Sequence, residues 1–422
     1  MLRRDVAADL RAAHEDDGWL LPAYGDHCFA NVPDTVLSVL ARDARRPLPD
    51  DVFAGVETDA SRVVVLLVDG FGYRQWLREH ERHDLLARVT ERGTVTPLTS
   101  IFPSETAAAM TTMHTGRQPV EHGLLGWFGY VEELDAVLRT LPFTTLDGTP
   151  ATEAHPDAAA SLLFEGPTVY ERAGAAGIDS RVVQPADLVG SAYSGRATRG
   201  ATNVPYDGFD EMARRIREAL EAADGPTYVL AYVPDVDAAA HEAGTRSDAY
   251  RATLSDLSTA VERELDRLSP EAAAETLLLV TADHGHVDTD PERNVDLGAF
   301  DLAPHLQRRP DGTPLQAVGG PRNVQLHVRE GGADGHAGAI REELSSLDAR
   351  VFDREAFRER DLFGDRAPSA RFARREPDLL ALHRDLSVWY PGRSLRFVGE
   401  HGGLHPDEML VPFGAVRLSA LR

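Results

Sequence analysis

Lysine is missing from this sequence of 422 residues, so all 44 of its basic residues are arginines. The absence excludes the lysine of a phosphate-binding P-loop and any mechanism through a lysine Schiff base. With 68 acidic residues the formal net charge is −24, which argues against a nucleic-acid partner held by a basic surface. Codon bias in a GC-rich genome would explain the missing lysine, while the acidic excess favours a halophilic surface that stays soluble at high salt.

Cysteine is almost absent as well. Cys28 is the single cysteine, which excludes an intramolecular disulfide and a metal site built from several thiolates. Any metal must therefore be held by carboxylate, imidazole and hydroxyl groups. The sequence also lacks an apolar run of about 18 residues and the apolar segment of a signal peptide, so we expect no membrane partner and a cytoplasmic location.

Three apolar, β-branched runs predict buried parallel strands, at residues 63–68, 228–233 and 276–281. Polar residues follow each of them. Amphipathic helical patterns lie between the runs, and the alternation of strands with helices predicts a mostly parallel sheet. Because ligands of open α/β sheets bind outside the carboxyl ends of the strands, we expect these polar residues to share one rim.

The predicted fold class is therefore α/β, with a mostly parallel central sheet flanked by helices. Residues 60–290 and 396–422 form the predicted catalytic core, on which residues 1–59 pack as an N-terminal extension. The irregular segment from about 125 to 200 predicts a cap-like insertion over the site. Residues 291–395 predict an inserted small α/β subdomain.

Aspartate and histidine residues recur after the strands and near the C-terminus. Asp237 and His241 are four residues apart, so they fall on one face of a helical turn, although this spacing is also common on solvated helices. Asp283 and His284 directly follow a buried strand, where a charged pair suits a site better than a core. His401 precedes two glycines, which allow close approach of the backbone. Mixed oxygen and nitrogen donors of this kind are typical of metal sites.

A segment with two hydroxyls, Ser104 and Thr106, precedes an alanine-rich run that predicts a helix. The ordinary role of such hydroxyls is to cap the helix. Helix N-termini also bind anions such as phosphate, and a hydroxyl held there beside cations can act as a nucleophile. From the residues alone, both roles and both hydroxyls stay open.

Several motifs follow one another in a specific order between about residues 60 and 415. They are Asp69-Gly70, Phe102-Pro103-Ser104-Glu105-Thr106, Thr115-Gly116-Arg117-Gln118-Pro119-Val120-Glu121-His122-Gly123, Asp237 with His241, Asp283-His284-Gly285 and Gly399-Glu400-His401-Gly402. In this order they resemble the motifs of type I phosphodiesterase/nucleotide pyrophosphatases, a family of the alkaline phosphatase superfamily. The resemblance implies an alkaline-phosphatase-like fold and two divalent metal ions, usually Zn²⁺, with Mn²⁺ also suited to these ligands.

The resemblance also implies a role for each matching residue. One ion would bind Asp237, His241 and His401, and the other would bind Asp69, Asp283, His284 and the Thr106 hydroxyl. Thr106 would be the nucleophile and would pass through a phosphorylated or nucleotidylated threonine. The implied function is hydrolysis of phosphodiester or pyrophosphate bonds in a small-molecule phosphate ester such as a nucleotide.

Two positions depart from the family pattern. Ala109 stands where many members have an asparagine, three residues after the nucleophile, and Ala240 replaces a common glycine. Contacts to the phosphate must then come from elsewhere. The candidates are the backbone N–H groups after Thr106 and the side chains of Arg117, Arg196 and Arg322.

Other residues near the motifs have ordinary structural explanations. These are a turn for His122, a helix cap for Asp235, and support behind the ligands for His286 and His405. Trp127 and Phe128 could stack on a nucleobase, although aromatic residues in loops more often pack.

Other functions remain open on the same residues. A phosphomonoesterase or a phosphonate hydrolase would use the same two-metal site. A phosphotransfer isomerase like the cofactor-independent phosphoglycerate mutases shares the fold, but the missing lysine makes its phosphate-binding set harder to assemble. A binding module without catalysis would be expected to have lost some ligands, and none of the seven is missing.

Overall fold

The computed structural model describes residues 1–41, 45–330, 333–383 and 396–422. The strands are β1 Glu15–Asp16, β2 Trp19–Leu20, β3 Arg62–Val68, β4 Thr94–Thr99, β5 Phe128–Val131, β6 Ala136–Arg139, β7 Thr144–Thr145, β8 Asp179–Pro185, β9 Thr202–Tyr206, β10 Thr227–Val233, β11 Thr276–Thr281, β12 Val287–Asp288, β13 Val318–Gly320, β14 Asn323–Leu326, β15 Ala349–Asp353, β16 Leu379–His383, β17 Gly399–Glu400 and β18 Leu410–Arg417. The α-helices are α1 Arg4–His14, α2 Val32–Ala41, α3 Tyr73–Glu79, α4 Asp84–Arg92, α5 Thr106–Thr115, α6 Pro119–His122, α7 Ala151–Ala154, α8 Val169–Ala175, α9 Ala192–Ala197, α10 Gly208–Glu221, α11 Asp235–Ala243, α12 Asp248–Leu265, α13 Pro270–Ala274, α14 Ala333–Glu343, α15 Arg354–Arg358, α16 Ala370–Arg375 and α17 Pro406–Met409.

The main sheet has the strand order β4-β18-β11-β3-β10-β8-β9 within the described part of the chain. Strands β11, β3, β10, β8 and β9 are parallel to one another, and β18 is antiparallel to both of its neighbours. The three predicted strands are β3, β10 and β11, and they lie side by side at its centre. Their residues are buried almost without exception, which is why their sequences are continuous apolar runs. The predicted α/β fold with a mostly parallel sheet is confirmed.

Helices pack against this sheet through apolar stripes. Helix α12 buries Tyr250, Leu254, Leu257 and Val261, which recur at three- and four-residue spacing, while charged residues occupy the opposite face. It begins where the Ser247 hydroxyl accepts a hydrogen bond from the Tyr250 N–H at 3.1 Å. Helix α10 packs beside it in the same way.

A second sheet is antiparallel and has the order β15-β16-β14-β13-β5-β6-β7 among the described residues. Strands β5 to β7 come from the segment that the sequence predicts as a cap, and β13 to β16 come from the predicted subdomain. The two segments therefore meet in one sheet. Strand β8, also within the predicted cap segment, belongs to the main sheet instead. The predicted end of the subdomain, residues 384–395, lies outside the described residues.

The N-terminal residues lie against the main sheet. The Arg3 N–H donates to the carbonyl of Val95 in β4 at 2.9 Å, and Phe29 and Val36 are fully buried in the main core. No helix in the described ranges is long and apolar enough to cross a bilayer.

Candidate metal centre and nucleophile

The carboxyl ends of the central strands bring the aspartates together. Val68 of β3 pairs with Val233 of β10, and the next N–H, that of Asp69, donates to the Val233 carbonyl at 3.0 Å. Helix α11 begins two residues after β10 and carries Asp237, while Asp283 follows β11. Parallel pairing thus places three aspartates from three strand ends on one rim, as expected.

The first group of potential ligands consists of Asp69, Asp283 and His284, all buried. Nε2 of His284 lies 3.2 Å from Oδ1 of Asp69 and 3.3 Å from Oδ2 of Asp283. Oγ1 of Thr106 is 3.1 Å from the same nitrogen. The four residues that the resemblance assigns to one ion therefore surround one point.

The second group consists of Asp237, His241 and His401. Nε2 of His241 lies 3.4 Å from Oδ2 of Asp237, and Nε2 of His401 lies 3.7 Å from Oδ1. The rings of His401 and His284 stack with centroids 3.6 Å apart, so the two groups are neighbours. All seven predicted residues are thus brought together.

Backbone carbonyls fix the orientation of the three histidines. Nδ1 of His241 lies 2.7 Å from the Gly399 carbonyl, Nδ1 of His401 lies 2.9 Å from the Ser104 carbonyl, and Nδ1 of His284 lies 3.1 Å from the Gly285 carbonyl. A carbonyl oxygen can only accept a hydrogen bond, so Nδ1 of each ring carries the proton, and each neutral ring would present the lone pair of Nε2 to the carboxylates. This orientation is typical of metal-binding imidazoles.

The negative charge of these residues, and two carboxylate oxygens that accept no hydrogen bond from the described residues, suit a bound cation. Oδ1 of Asp69 and Oδ2 of Asp283 are buried and accept no hydrogen bond from the described residues. Burial and the neighbouring Asp69 raise the pKa of Asp283 well above its ordinary value. Although burial lowers the pKa of His284, the effect of Asp283 and Asp69 outweighs it and raises that pKa to about 10. Such a negative potential is stabilised by bound cations.

The two candidate hydroxyls differ in where they point. Oγ of Ser104 donates to the Gly403 carbonyl at 2.8 Å and is fully buried. Thr106 is the first residue of α5 and lines a cavity of about 370 Å³ that also reaches Asp237, His241 and His401. The helix has no capping hydrogen bond from a side chain, so neither hydroxyl serves as its cap.

The cavity extends from the ligands toward the second sheet. Trp127, Phe128 and Arg139 form one part of its wall, and Pro321 and Phe397 form another. The ring of Phe397 lies 4.8 Å from that of His241. The predicted stacking residues therefore do reach the cavity.

The three arginines suggested as phosphate contacts lie elsewhere. Arg322 is fully buried and pairs with Glu408 at 2.8 Å, and Arg196 lies over the ring of Phe164 at 4.5 Å. Arg117 lines a separate cavity. The arginine that does line the cavity beside Thr106 in the described part of the chain is Arg139, which none of the motifs quoted above contains and which the sequence did not single out.

His286 is in direct contact with the candidate ligand Asp237. Its Nε2 is 2.8 Å from Oδ1 of Asp237, and with Asp237 and His284 it forms a third potential ligand group. Burial lowers the pKa of His286 well below its ordinary value, which favours the neutral ring. Its position two residues after His284 is the signal that could have singled it out.

The remaining assignments concern residues outside the ligand groups. His122 is buried and accepts the Leu124 N–H on Nδ1, as suits a turn. His405, not Asp235, is a cap: it accepts the Asp407 N–H at 3.1 Å, whereas Asp235 begins α11 without a capping hydrogen bond.

Two buried glutamates at the cavity were missed. Burial raises the pKa of both Glu105 and Glu400 to about 7. Oε2 of Glu105 accepts from the Trp127 N–H at 2.7 Å, and Oε1 accepts from Nδ2 of Asn323 at 2.5 Å. Each glutamate directly precedes a predicted ligand, which is the sequence signal that could have found it.

Comparison with known proteins places the site in context. The family model of type I phosphodiesterase/nucleotide pyrophosphatase matches residues 63–404, well over half of the chain. None of the curated proteins matches the sequence.

Solved structures share the fold at low sequence identity. Murine ectonucleotide pyrophosphatase/phosphodiesterase 5 is 18% identical with a TM-score of 0.64, over 84% of this chain and 87% of that chain. An inactive form of that murine protein, with a threonine replaced by alanine and in complex with AMP, is 17% identical with a TM-score of 0.63 over the same shares, 84% and 87%. Phosphonoacetate hydrolase from Sinorhizobium meliloti 1021, in complex with phosphonoacetate, is 16% identical with a TM-score of 0.58, over 85% of this chain and 93% of that chain.

Proposed function

The chain belongs to the type I phosphodiesterase/nucleotide pyrophosphatase family, and from that premise we propose that it is a metal-dependent hydrolase of phosphodiester or pyrophosphate bonds with Thr106 as the nucleophile. The observation that carries the proposal is the position of the Thr106 hydroxyl. It lies 3.1 Å from Nε2 of His284, at the edge of two adjoining ligand groups and inside the cavity.

Asp69, Asp283 and His284 would hold one divalent cation with the Thr106 hydroxyl, and Asp237, His241 and His401 would hold the other. When bound, Zn²⁺ or Mn²⁺ would lower the pKa of the hydroxyl and neutralise charge on the phosphate. The buried carboxylate oxygens without hydrogen bonds support this assignment.

The start of α5 supplies the second element of the proposed chemistry. The first N–H groups of a helix have no intrahelical partner, so those of Thr106, Ala107 and Ala108 can donate to a phosphate oxygen. These backbone donors would replace the asparagine side chain that Ala109 lacks. Because they are fixed by the helix, they stabilise the developing charge without reorganisation.

The proposed reaction proceeds in two displacements at phosphorus. Oγ1 of Thr106 loses its proton and bonds to phosphorus, while the bond to the leaving oxygen breaks on the opposite side and that oxygen takes up a proton. Water then loses a proton and bonds to the threonine-bound phosphorus, while the bond between phosphorus and Oγ1 of Thr106 breaks and Oγ1 takes up a proton, which restores the hydroxyl. The inactive murine relative, whose changed residue is also a threonine, supports a threonine in this role.

The substrate we propose is a small phosphate ester with an aromatic or otherwise flat group, such as a nucleotide. Trp127, Phe128 and Phe397 provide apolar walls for that group. Arg139, in the same wall, can pair with a second anionic or polar group of the substrate. The murine relative solved with AMP supports a nucleotide.

Hydrolysis of nitrophenyl phosphate monoesters and diesters with Zn²⁺ or Mn²⁺ tests the proposal. Thr106→Ala should lower kcat for the diester by about 10³-fold or more, because the covalent route is lost. Ser104→Ala is the matched control, since it removes the neighbouring hydroxyl that points away from the cavity.

Full diester activity in Thr106→Ala would refute the assigned nucleophile. Preference of the wild-type chain for the monoester would instead favour the phosphomonoesterase alternative on the same site. Hydrolysis of a phosphonate would favour the activity named for the Sinorhizobium neighbour.

A further inference from the structure

A second cavity, of about 310 Å³, lies at the opposite end of the nucleophile helix and is lined by arginines. Thr115 ends α5 and Gly116 follows it at the cavity wall. At 1.5 Å per residue, this end of the helix lies about 15 Å from Thr106. The two cavities are therefore separate sites.

Arginine dominates the lining of this second cavity. Five arginines and one glutamate line it, in a chain whose net charge is −24. The arginines are Arg45, Arg46, Arg117, Arg172 and Arg366, and the glutamate is Glu121. Like charges gathered in this way repel one another unless anions offset them.

Three of the five arginines are already paired with carboxylates. Arg46 lies 3.1 Å from Glu121, Arg172 lies 2.6 Å from Asp34, and Arg366 lies 3.3 Å from Asp365. Arg46 also donates to the Gly116 carbonyl at 2.9 Å and so helps to close the helix end. Each of these three pairs is close to neutral, and the ion pair gives its arginine a structural role.

The other two arginines, Arg45 and Arg117, make no ion pair or hydrogen bond with any residue that the structure describes. Arg45 is exposed and Arg117 is partly buried. Among the described residues, these two guanidinium groups beside the cavity leave an excess of two positive charges, which matches the two negative charges of a phosphate dianion.

Two glycines make room for the arginines. A Cβ at Gly166, where φ is +98°, would lie 2.4 Å from Nε of Arg117, and a Cβ at Gly116, where φ is +63°, would lie 2.7 Å from Nη2 of Arg172. A side chain at either position would have to displace the arginine and would strain a backbone conformation that favours glycine. Gly166 thus leaves room for Arg117 at the cavity wall, where Arg117 has no ion pair or hydrogen bond with a described residue.

We propose that this arginine cavity is a second anion site, distinct from the catalytic cavity, that binds a phosphate dianion or the terminal phosphate of a monoester through Arg117 and Arg45. Guanidinium groups recognise phosphate by paired N–H donors and stay charged at all relevant pH values. Because the acidic surface elsewhere would repel such an anion, the arginine cavity offers it a favourable site in addition to the catalytic cavity. The proposal is independent of the catalytic assignment.

Titration calorimetry of the full chain at low ionic strength, with inorganic phosphate and with glycerol phosphate, tests the proposal. We expect Arg117→Gln to weaken phosphate binding by about tenfold and the double variant Arg45→Gln/Arg117→Gln by about a hundredfold. Arg214→Gln, on the exposed face of α10, makes the same charge change outside the cavity and should bind within about twofold of wild type. If both ligands bind, the site recognises the terminal phosphate group of a monoester. If inorganic phosphate alone binds, the site recognises the free anion.

Phosphate held in the catalytic cavity would give a different pattern. That binding would persist in Arg45→Gln/Arg117→Gln and would be lost in His401→Ala, whereas binding in the arginine cavity should survive His401→Ala. Equal phosphate affinity in the double arginine variant and in Arg214→Gln would overturn the proposal.

Discussion

At the scale of single residues, the most consequential feature is the pair of buried carboxylates of Asp69 and Asp283. Both lie next to His284, and each keeps one oxygen without a hydrogen bond from the described residues. Two like charges in a buried place destabilise the folded chain unless a cation or a proton offsets them. If these residues hold a metal ion as proposed, the chain without metal should be less stable than the chain with metal bound.

The buried charges predict that Asp283→Asn affects the melting temperature differently with and without metal. In the presence of a chelator, the variant should melt at the same temperature as wild type or higher, because the amide keeps the shape and removes a buried charge. Addition of Zn²⁺ should raise the melting temperature of wild type, by the equivalent of about 2.7 kcal/mol for each site at a hundredfold excess over its Kd. It should raise that of the variant less, because the variant keeps only the group of Asp237, His241 and His401 intact. Thermal unfolding followed by circular dichroism measures both.

Asp248→Asn is the matched control, because it removes an aspartate whose side chain is fully exposed at the start of α12. It should respond to Zn²⁺ as wild type does. Equal stabilisation of Asp283→Asn and wild type by Zn²⁺ would show that Asp283 does not bind the metal.

At the scale of elements, a hydrogen-bond network joins the start of α5 to the second sheet. Asn323 of β14 donates to Glu105 at 2.5 Å and to the Gly402 carbonyl at 3.1 Å. Gln325, two residues along the strand, donates to Oδ1 of Asn323 at 2.9 Å. Glu105 in turn accepts the Trp127 N–H. The second sheet thus holds in place both the residue before Thr106 and a wall of the cavity.

Asn323→Ala should therefore impair catalysis more than folding. The change leaves the buried Glu105 with one donor fewer and costs about 1–3 kcal/mol of unfolding free energy. Because small displacements of a nucleophile are costly, kcat for a diester should fall by about tenfold or more, with a smaller change in KM. Steady-state kinetics well below the melting temperature separates the two effects.

Gln184→Ala is the control for a lost buried amide away from the site. Gln184 donates to Ser194 at 2.8 Å and to Asn203 at 2.6 Å, both outside the network. It should lower stability and leave kcat unchanged. Wild-type kcat in Asn323→Ala, or an equal loss in Gln184→Ala, would contradict a positioning role for the network.

At the scale of the whole molecule, the net charge of −24 is the dominant property. Ion pairs such as those of Arg214 with Glu211 and Glu218 on α10 offset part of it locally, but the excess negative charge is spread over the surface and repels itself. Salt screens this repulsion, since the Debye length falls from about 10 Å at 0.1 M to about 3 Å at 1 M.

The chain should consequently gain stability as salt rises. Between 0.1 M and 1 M NaCl at pH 7.5, in the presence of a chelator, we expect the melting temperature to increase by at least about 3 °C. The same measurement near the sequence isoelectric point of 5.0, where the net charge is small, is the control and should show a weaker effect. An equal effect at both pH values would mean that salt does not act through the net charge.

The sequence by itself determined the three central strands and the residue types available for the candidate metal centre. Continuous apolar runs predicted strands at 63–68, 228–233 and 276–281, and the observed strands are 62–68, 227–233 and 276–281. The runs carry this information because a strand buried on both faces tolerates little else. The order of short motifs identified the family and pointed to Thr106 as the candidate nucleophile and to the candidate metal ligands. Because parallel strands end on the same side of a sheet, the polar residues that follow the three strands were predicted to share one rim.

Only the tertiary structure decided what lies around those residues. Pairing of β5 with β13 joined two segments far apart in the chain. Arg139, Phe397 and Glu105 also meet at one cavity although they are far apart in the sequence. The fold also places Arg322 in a buried pair with Glu408 and Arg117 at a second cavity, both away from the cavity beside Thr106. Local sequence patterns record which face of an element is buried, but which elements meet depends on contacts between residues hundreds of positions apart, and a single sequence carries no local signal of these.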